Sequence, residues 1–167
     1  FVRNLSEIAS LRLASGAAGA SLDSTRLDLA TVGGAFGAAL AEIDRAPAAE
    51  KSTRLDALLA RHPQWPVVEP DGRTHFLYRG GAQDVALTGN VLPPDLRDGL
   101  PLRRLAATDL FVASLELCAD CVYEYGLSVD LSDPQPDARN PHRVLPSSGP
   151  EISELRMPGW TAPTHLA

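Results

Sequence analysis

The sequence predicts a mainly β protein: a β-sandwich of about 95 residues preceded by an N-terminal helical segment. Apolar residues recur at every third or fourth position up to about residue 62, and at every second position from Trp65 onward. Turn residues interrupt the second part at intervals of roughly ten. With 167 residues, of which 44% are hydrophobic and 22% charged, the chain is long enough to bury a core of its own.

Residues 1 to 62 are predicted to form three helices. The first starts near Asn4, the second covers residues 24 to 45, and the third starts at Ser52 or Thr53 and ends before Pro63. The apolar stripe of the second helix consists of Leu29, Val32, Phe36, Leu40 and Ile43. Small residues beside the stripe predict close packing against a neighbouring helix: Ala30, Gly33, Gly37 and Ala41. These helices carry no recognisable catalytic motif.

The first strands are predicted to form a hairpin. Residues 74 to 79 alternate in polarity, Gly80 and Gly81 supply a turn, and Val85 and Leu87 continue a second strand. Residues 89 to 104 are rich in loop-forming residues.

A second strand pair is predicted from residues 111 to 117 and 121 to 129, each with one apolar face. If both faces point inward, Leu115 lies opposite Tyr123 and Leu117 opposite Cys121. A proline-rich loop at residues 131 to 150 precedes a last short strand at residues 154 to 157.

The charge of the chain excludes some partners. Its net charge is −6, its pI is about 5.1, and no stripe of Lys or Arg is present, so nucleic acid and anionic membrane surfaces are not expected to bind. The longest weakly polar run, residues 30 to 41, is far below the roughly 20 residues that span a bilayer. The chain begins at Phe1 without a basic and then apolar leader, and the sequence does not indicate a compartment.

Cys118 and Cys121, the two cysteines, form a CxxC motif that suits a redox pair, half of a zinc site or a disulfide. The predicted register leaves Cys118 in a loop, so the thiols would not face each other across a ladder. A zinc site needs further ligands, and the sequence has no second CxxC or HxxxH motif. We expect free thiols, with a disulfide between Cys118 and Cys121 as the alternative in an exported protein.

Other candidate sites are weak. The four histidines are scattered, and no serine lies in a GxSxG elbow, so a Ser-His-Asp triad would have to assemble from distant residues. Asp130, Asp133 and Asp137 lack the glycine and terminal glutamate of a calcium loop and are expected to be solvated. We predict no metal centre and no cofactor.

Seven short segments from about Trp65 to Trp160 keep an informative order and spacing. They are Pro66–Pro70, Thr74–Gly80, Val85–Asn90, Thr108–Phe111, Tyr123–Tyr125, Asp133-Pro134 with Asn140-Pro141, and Ser153–Trp160. Together they resemble the N-terminal domain that precedes the α/β-hydrolase domain in enterochelin-esterase-like esterases.

The resemblance implies an early-set immunoglobulin-like sandwich at residues 63–160, preceded by the helical segment 1–62 and followed by a linker at 161–167. It implies that the catalytic residues of such an esterase lie outside this chain, and that the partner is a C-terminal α/β-hydrolase domain or chain. Residues expected to contact that domain are Arg79, Asn90, Met157 and Trp160.

Three functions are compatible with these features. The first is a non-catalytic accessory domain that helps shape substrate access in an esterase. The second is a stand-alone glycan-binding module related to glycogen-binding domains, which would present exposed aromatics such as Tyr78, Tyr123 or Tyr125. The third is a small complete hydrolase.

Overall fold

The computed structural model describes residues 26–146 and 149–162. In these residues two antiparallel sheets pack face to face, and helices cover the outer face of one sheet. The predicted mainly β sandwich is therefore confirmed. The helix predicted near Asn4 lies outside the described residues.

The helices and strands, numbered in chain order, are short. The helices are α1 (Leu29–Val32), α2 (Gly34–Arg45) and α3 (Ala48–Ala60), and Pro94–Leu96 forms one 3₁₀ turn. Sheet A contains, in spatial order, β1 (Val67–Val68), β2 (Arg73–Arg79), β6 (Leu110–Glu116) and β5 (Arg103–Arg104). Sheet B contains β4 (Leu100–Pro101), β3 (Val85–Gly89), β7 (Val122–Val129), β9 (Ile152–Arg156) and β8 (Arg143–Val144).

The two predicted strand pairs are wrong. β2 pairs with β1 and β6 in sheet A, whereas β3 pairs with β4 and β7 in sheet B. Leu115 lies opposite Thr74, and Tyr123 lies opposite Leu155. The connections that were predicted as hairpin turns instead carry the chain from one sheet to the other. Alternation identifies the buried face of a strand, but two strands with inward faces can face each other across the core instead of pairing.

The predicted inward faces are confirmed. The core between the sheets contains, among others, Phe76, Val85, Leu87, Phe111, Ala113, Tyr125, Leu127, Leu155 and Met157. A second core lies between the helices and the outer face of sheet A, and it includes Val32, Phe36, Leu40, Leu55, Leu59, Leu77, Leu110 and Val112. Sheet A is therefore buried on both faces, and the helices form a third layer against the sandwich.

The predicted helix over residues 24 to 45 is interrupted at Gly33, where the backbone is left-handed (φ 64°). The predicted row of small residues therefore does not lie along one helix. A Cβ atom added at Gly37 of α2 would lie 3.2 Å from Val32 of α1, so Gly37 packs against the other part of the interrupted helix. α3 begins at Ala48, before the predicted Ser52. Pro47 is its N-cap residue, and the Pro47 carbonyl accepts from the Glu50 N–H at 2.9 Å.

Lys51 lies in this added turn of α3. It is 7% exposed, and its Nζ donates to Asp44 at 3.0 Å and to the Ala106 carbonyl at 3.3 Å.

No helix among the described residues combines the length and apolar character that crossing a membrane requires.

Candidate functional site

A chain of hydrogen bonds joins a carboxylate, an imidazole and a hydroxyl beneath the helices. His75, on the outer face of sheet A, is 0% exposed. Its Nε2 lies 3.1 Å from Glu69 Oε1, and its Nδ1 lies 2.8 Å from Ser114 Oγ, on the neighbouring strand β6. His75 and Ser114 are register partners, so the pairing of β2 with β6 holds this geometry. We refer to Glu69, His75 and Ser114 as the buried triad.

Glu69 also caps helix α2 from a distance in sequence. Its carboxylate accepts hydrogen bonds from the backbone N–H groups of Ala35 at 3.0 Å and Phe36 at 2.8 Å. The Phe36 ring then stacks on His75, with centroids 5.0 Å apart. Gly34 permits this approach, because its φ is 66° and a Cβ atom there would overlap the Glu69 carboxylate. Glu69 therefore fastens the helical layer to sheet A.

The protonation states of the buried triad follow from its surroundings. Burial lowers the pKa of His75, and the hydrogen bond and charge of Glu69 oppose this shift only in part. Burial raises the pKa of Glu69, but the N–H donors of Phe36 and Ala35, together with His75, lower it overall. At neutral pH the histidine is therefore neutral. Its Nε2–H donates to the Glu69 carboxylate, and its Nδ1 accepts from the Ser114 hydroxyl.

The carboxylate, imidazole and hydroxyl follow one another as in the catalytic triad of serine hydrolases. They differ from such a triad in which of the three groups a substrate could reach. A cavity of about 750 Å³ opens beside the buried triad, and its lining includes Phe36, His62 and Glu69. Neither His75 nor Ser114 lines this cavity, so a bound ester would meet the carboxylate instead of the hydroxyl. We interpret the buried triad as a structural anchor.

Stability should depend on pH through His75. A histidine whose pKa is lowered by folding stabilises the protein above its unfolded value of 6.5 and loses that contribution as the pH falls. We expect the thermal midpoint to drop between pH 7 and pH 5, and His75→Gln to flatten this dependence. Glu69 does not contribute to this drop. Folding lowers its pKa, so the stability that Glu69 supplies is lost only below its unfolded value of 4.5.

The matched control for this prediction is His142→Gln, since His142 is exposed. Circular dichroism melts across the pH range measure the effect. If the thermal midpoint of His75→Gln changed with pH as steeply as that of the wild type, the role assigned to His75 would be contradicted.

The cysteine loop, residues 118 to 121, connects β6 to β7. Both thiols are free; Cys118 is exposed and Cys121 is half-buried. Asp120 lies between them, with its Oδ1 2.8 Å from Cys118 Sγ and 3.9 Å from Cys121 Sγ. The hydrogen bond to Asp120, followed by the nearby Cys121, raises the pKa of the Cys118 thiol to about 11. Sequence reasoning identified the two cysteines but did not count Asp120 as a neighbour of both.

A buried network forms around Tyr125, which is 0% exposed. Its hydroxyl donates to Asp137 Oδ2 at 2.9 Å and accepts from Asn140 Nδ2 at 3.1 Å. Asp137 is buried, so the prediction of a solvated carboxylate is wrong at this position. Burial raises the pKa of Asp137. The inward face assigned to Tyr125 already required a partner for its hydroxyl, and this signal could have indicated the network.

The three tyrosines proposed as a glycan platform pack against the core between the sheets. Tyr125 is fully buried, and Tyr78 packs edge-on against Phe111 with centroids 6.0 Å apart. Tyr123 is half-buried, and its hydroxyl oxygen accepts from the Cys118 N–H at 3.1 Å. They therefore do not form an exposed aromatic surface.

Two of the predicted contact residues are engaged within the chain. Arg79 donates from Nε to Asp109 Oδ1 at 3.0 Å and forms an ion pair with Asp56 of α3. Met157 is 2% exposed and lies in the core between the sheets. Its side chain therefore offers almost no surface to another domain, and the contact predicted for Met157 stays a prediction.

Asn90 and Trp160 lie at the same end of sheet B, where β7 begins. Asn90 is exposed, and its Oδ1 accepts from the Glu124 N–H at 2.7 Å. Trp160 is half-buried, and the Arg156 guanidinium lies 5.1 Å from its ring centroid. Arg79 lies at the opposite end of the sandwich, because it is the last residue of β2 and pairs with the first residue of β6. The structure thus brings Asn90 and Trp160 to one end and separates Arg79 from them.

Comparison with known proteins gives structural similarity alone. No family model and no curated protein matches the sequence. A crystal structure of the ferric enterobactin esterase from Salmonella typhimurium matches 64% of this chain and 37% of its own, with 17% identity and a TM-score of 0.51. The enterobactin esterase from Shigella flexneri, in the presence of 2,3-dihydroxy-N-benzoyl-serine, matches 64% and 36%, with 18% identity and a TM-score of 0.48. This chain therefore spans little more than a third of those esterases, and it shares the fold of a part of the Salmonella protein.

Proposed function

We propose that this chain is a non-catalytic accessory domain of an esterase similar to the enterochelin esterases, and that it helps shape substrate access to a hydrolase domain. The observation that carries the proposal is the fold shared with the Salmonella esterase, which covers 64% of this chain but 37% of the esterase. The likeness thus concerns a part of that enzyme. The seven ordered segments that resemble the domain preceding the hydrolase in such esterases support the same role.

The internal use of the reactive groups supports a non-catalytic role. Glu69 is occupied by two backbone N–H groups and by His75. The hydroxyl of Ser114 is the partner of a fully buried imidazole. A nucleophile needs room for an acyl group and donors for the developing oxyanion, and the cavity beside the buried triad does not reach Ser114.

The contact surface we propose is the end of sheet B that carries Asn90 and Trp160. A half-exposed indole beside an arginine is typical of the residues that dominate protein interfaces. Arg79, whose charge is paired within the chain, and the buried Met157 are left out of this surface.

The purified chain should hydrolyse activated esters only at the background rate. It should also remain unlabelled by a fluorophosphonate, which reacts with activated serines. The matched variant is Ser114→Ala, which we expect to be indistinguishable from the wild type in both assays. Ester hydrolysis that Ser114→Ala abolishes would contradict the non-catalytic role and would make the buried triad an active site.

A further inference from the structure

We propose that Cys118, Asp120 and Cys121 form a Zn²⁺ site on the surface of the cysteine loop, where the sequence alone, with only the two cysteines as ligands, predicts no metal centre. One ligand atom from each residue, two sulfurs and a carboxylate oxygen, lies within 4.8 Å of the other two. The site is inferred without the proposed accessory function, although the cysteine loop lies at the same end of sheet B as Asn90 and Trp160.

The spacing of these atoms suits a tetrahedral metal. With Zn–S bonds of about 2.3 Å and Zn–O bonds of about 2.0 Å, adjacent ligand atoms lie roughly 3.5 to 3.8 Å apart. The distance from Asp120 Oδ1 to Cys121 Sγ is 3.9 Å, and that to Cys118 Sγ is 2.8 Å. The shorter distance is that of a thiol hydrogen bond to the carboxylate, and the metal would take the place of that proton. Small side-chain rotations are therefore sufficient to bring the three ligand atoms to the spacing of a tetrahedral site.

The backbone of the loop is already fixed. The Cys118 N–H donates to the Tyr123 hydroxyl oxygen at 3.1 Å, and the Cys121 N–H donates to the Cys118 carbonyl at 3.4 Å. The segment after β9 adds two bonds, from Gly159 N–H to the Ala119 carbonyl at 2.8 Å and from Met157 N–H to the Cys121 carbonyl at 3.1 Å. A loop held at both sides loses little freedom when a metal binds.

The donor set favours zinc. Thiolates are soft ligands that bind Zn²⁺ strongly, and a carboxylate oxygen completes a set of three. The fourth tetrahedral position is open, since Cys118 and Asp120 are exposed, and water or a partner's ligand can fill it. On binding, each cysteine releases its proton to solvent and the sulfur donates an electron pair to the metal. No electron is transferred, so the site requires no oxidant.

Titration of the reduced, chelator-treated chain with Co²⁺ and then Zn²⁺ tests the site. We expect one Co²⁺ per chain, sulfur-to-metal charge-transfer absorption in the near ultraviolet, and displacement of cobalt by zinc. Cys118→Ser and Cys121→Ser should each weaken binding at least about tenfold, and Asp120→Asn should weaken it less. The matched control, Asp133→Asn, changes an exposed carboxylate in another loop and should bind like the wild type.

All four variants change exposed or half-buried side chains and should therefore fold. Melting curves of the metal-free proteins check that they do, so that weaker binding can be assigned to the lost ligand. Absence of the charge-transfer band in the wild type would overturn the proposal. Equal affinity in Cys118→Ser and the wild type would also overturn it, since the bound metal would then lie elsewhere.

Discussion

Replacing Glu69 with alanine is expected to lower the free energy of unfolding by about 4 kcal/mol. Two backbone donors at the start of α2 and the buried Nε2–H of His75 would lose their acceptor together. A hydrogen bond to a charged group contributes about 1.5 to 3 kcal/mol, and loss of a helix cap costs about 1 kcal/mol. His75 is fully buried, and a water entering from the adjacent cavity would replace the charged acceptor with a neutral one.

The control for this variant is Glu116→Ala. Glu116 also pairs with a strand residue, Arg73, at 2.9 Å, but its side chain is 77% exposed. An exposed ion pair contributes at most about 1 kcal/mol, so this variant should remain close to the wild type. Urea denaturation followed by circular dichroism compares the two. A loss below about 1 kcal/mol in Glu69→Ala would show that the carboxylate does not hold the helices on sheet A.

Replacing Gly89 with alanine is expected to cost about 3 kcal/mol or more. Gly89 is the last residue of β3 and pairs with Tyr125 of β7. Its φ is 121°, which side chains rarely adopt, and an added Cβ would overlap the Glu124 carbonyl oxygen and lie 2.8 Å from the Tyr125 Cα. Both neighbours are backbone atoms of the adjacent strand, so relief requires the two strands to separate. Backbone strain and overpacking each cost about 1 to 3 kcal/mol.

Gly81→Ala is the matched control for Gly89→Ala. No atom lies within 4 Å of a Cβ atom built at Gly81, and its φ is not positive. The control should differ from the wild type by less than about 0.5 kcal/mol. Similar stability losses in both variants would contradict the close approach of β3 and β7 at Gly89.

The sequence predicted the buried faces but not the strand pairing. The alternation of Phe111, Ala113, Leu115 and Leu117 depends only on the local pleat, so it could be read directly from the chain. Pairing depends on which strands meet after the chain crosses between sheets, and a crossing turn has the same residues as a hairpin turn. The break of the predicted helix at Gly33 was missed for a similar reason, since glycine is also tolerated within helices.

The candidate sites could be predicted from the sequence only where their residues lie close together in the chain. The CxxC motif was visible because Cys118 and Cys121 are close in sequence, whereas the orientation of Asp120 toward both depends on the loop conformation. Glu69, His75 and Ser114 gave no signal, because Glu69 reaches a helix more than 30 positions earlier and Ser114 approaches only through the pairing of β2 with β6. Long-range hydrogen bonds of this kind leave no periodic pattern.

Serine-directed labelling of the native protein tests the accessory role most directly. An antibody against this chain would isolate the protein from its source cells, and a fluorophosphonate would then mark active serine hydrolases in the isolate. We expect the probe to label a hydrolase domain of roughly 200 to 250 residues, either in the same polypeptide or in a stable complex with it, at a serine outside residues 1–167. An isolate that contains this chain but no fluorophosphonate-reactive serine would contradict the proposed function.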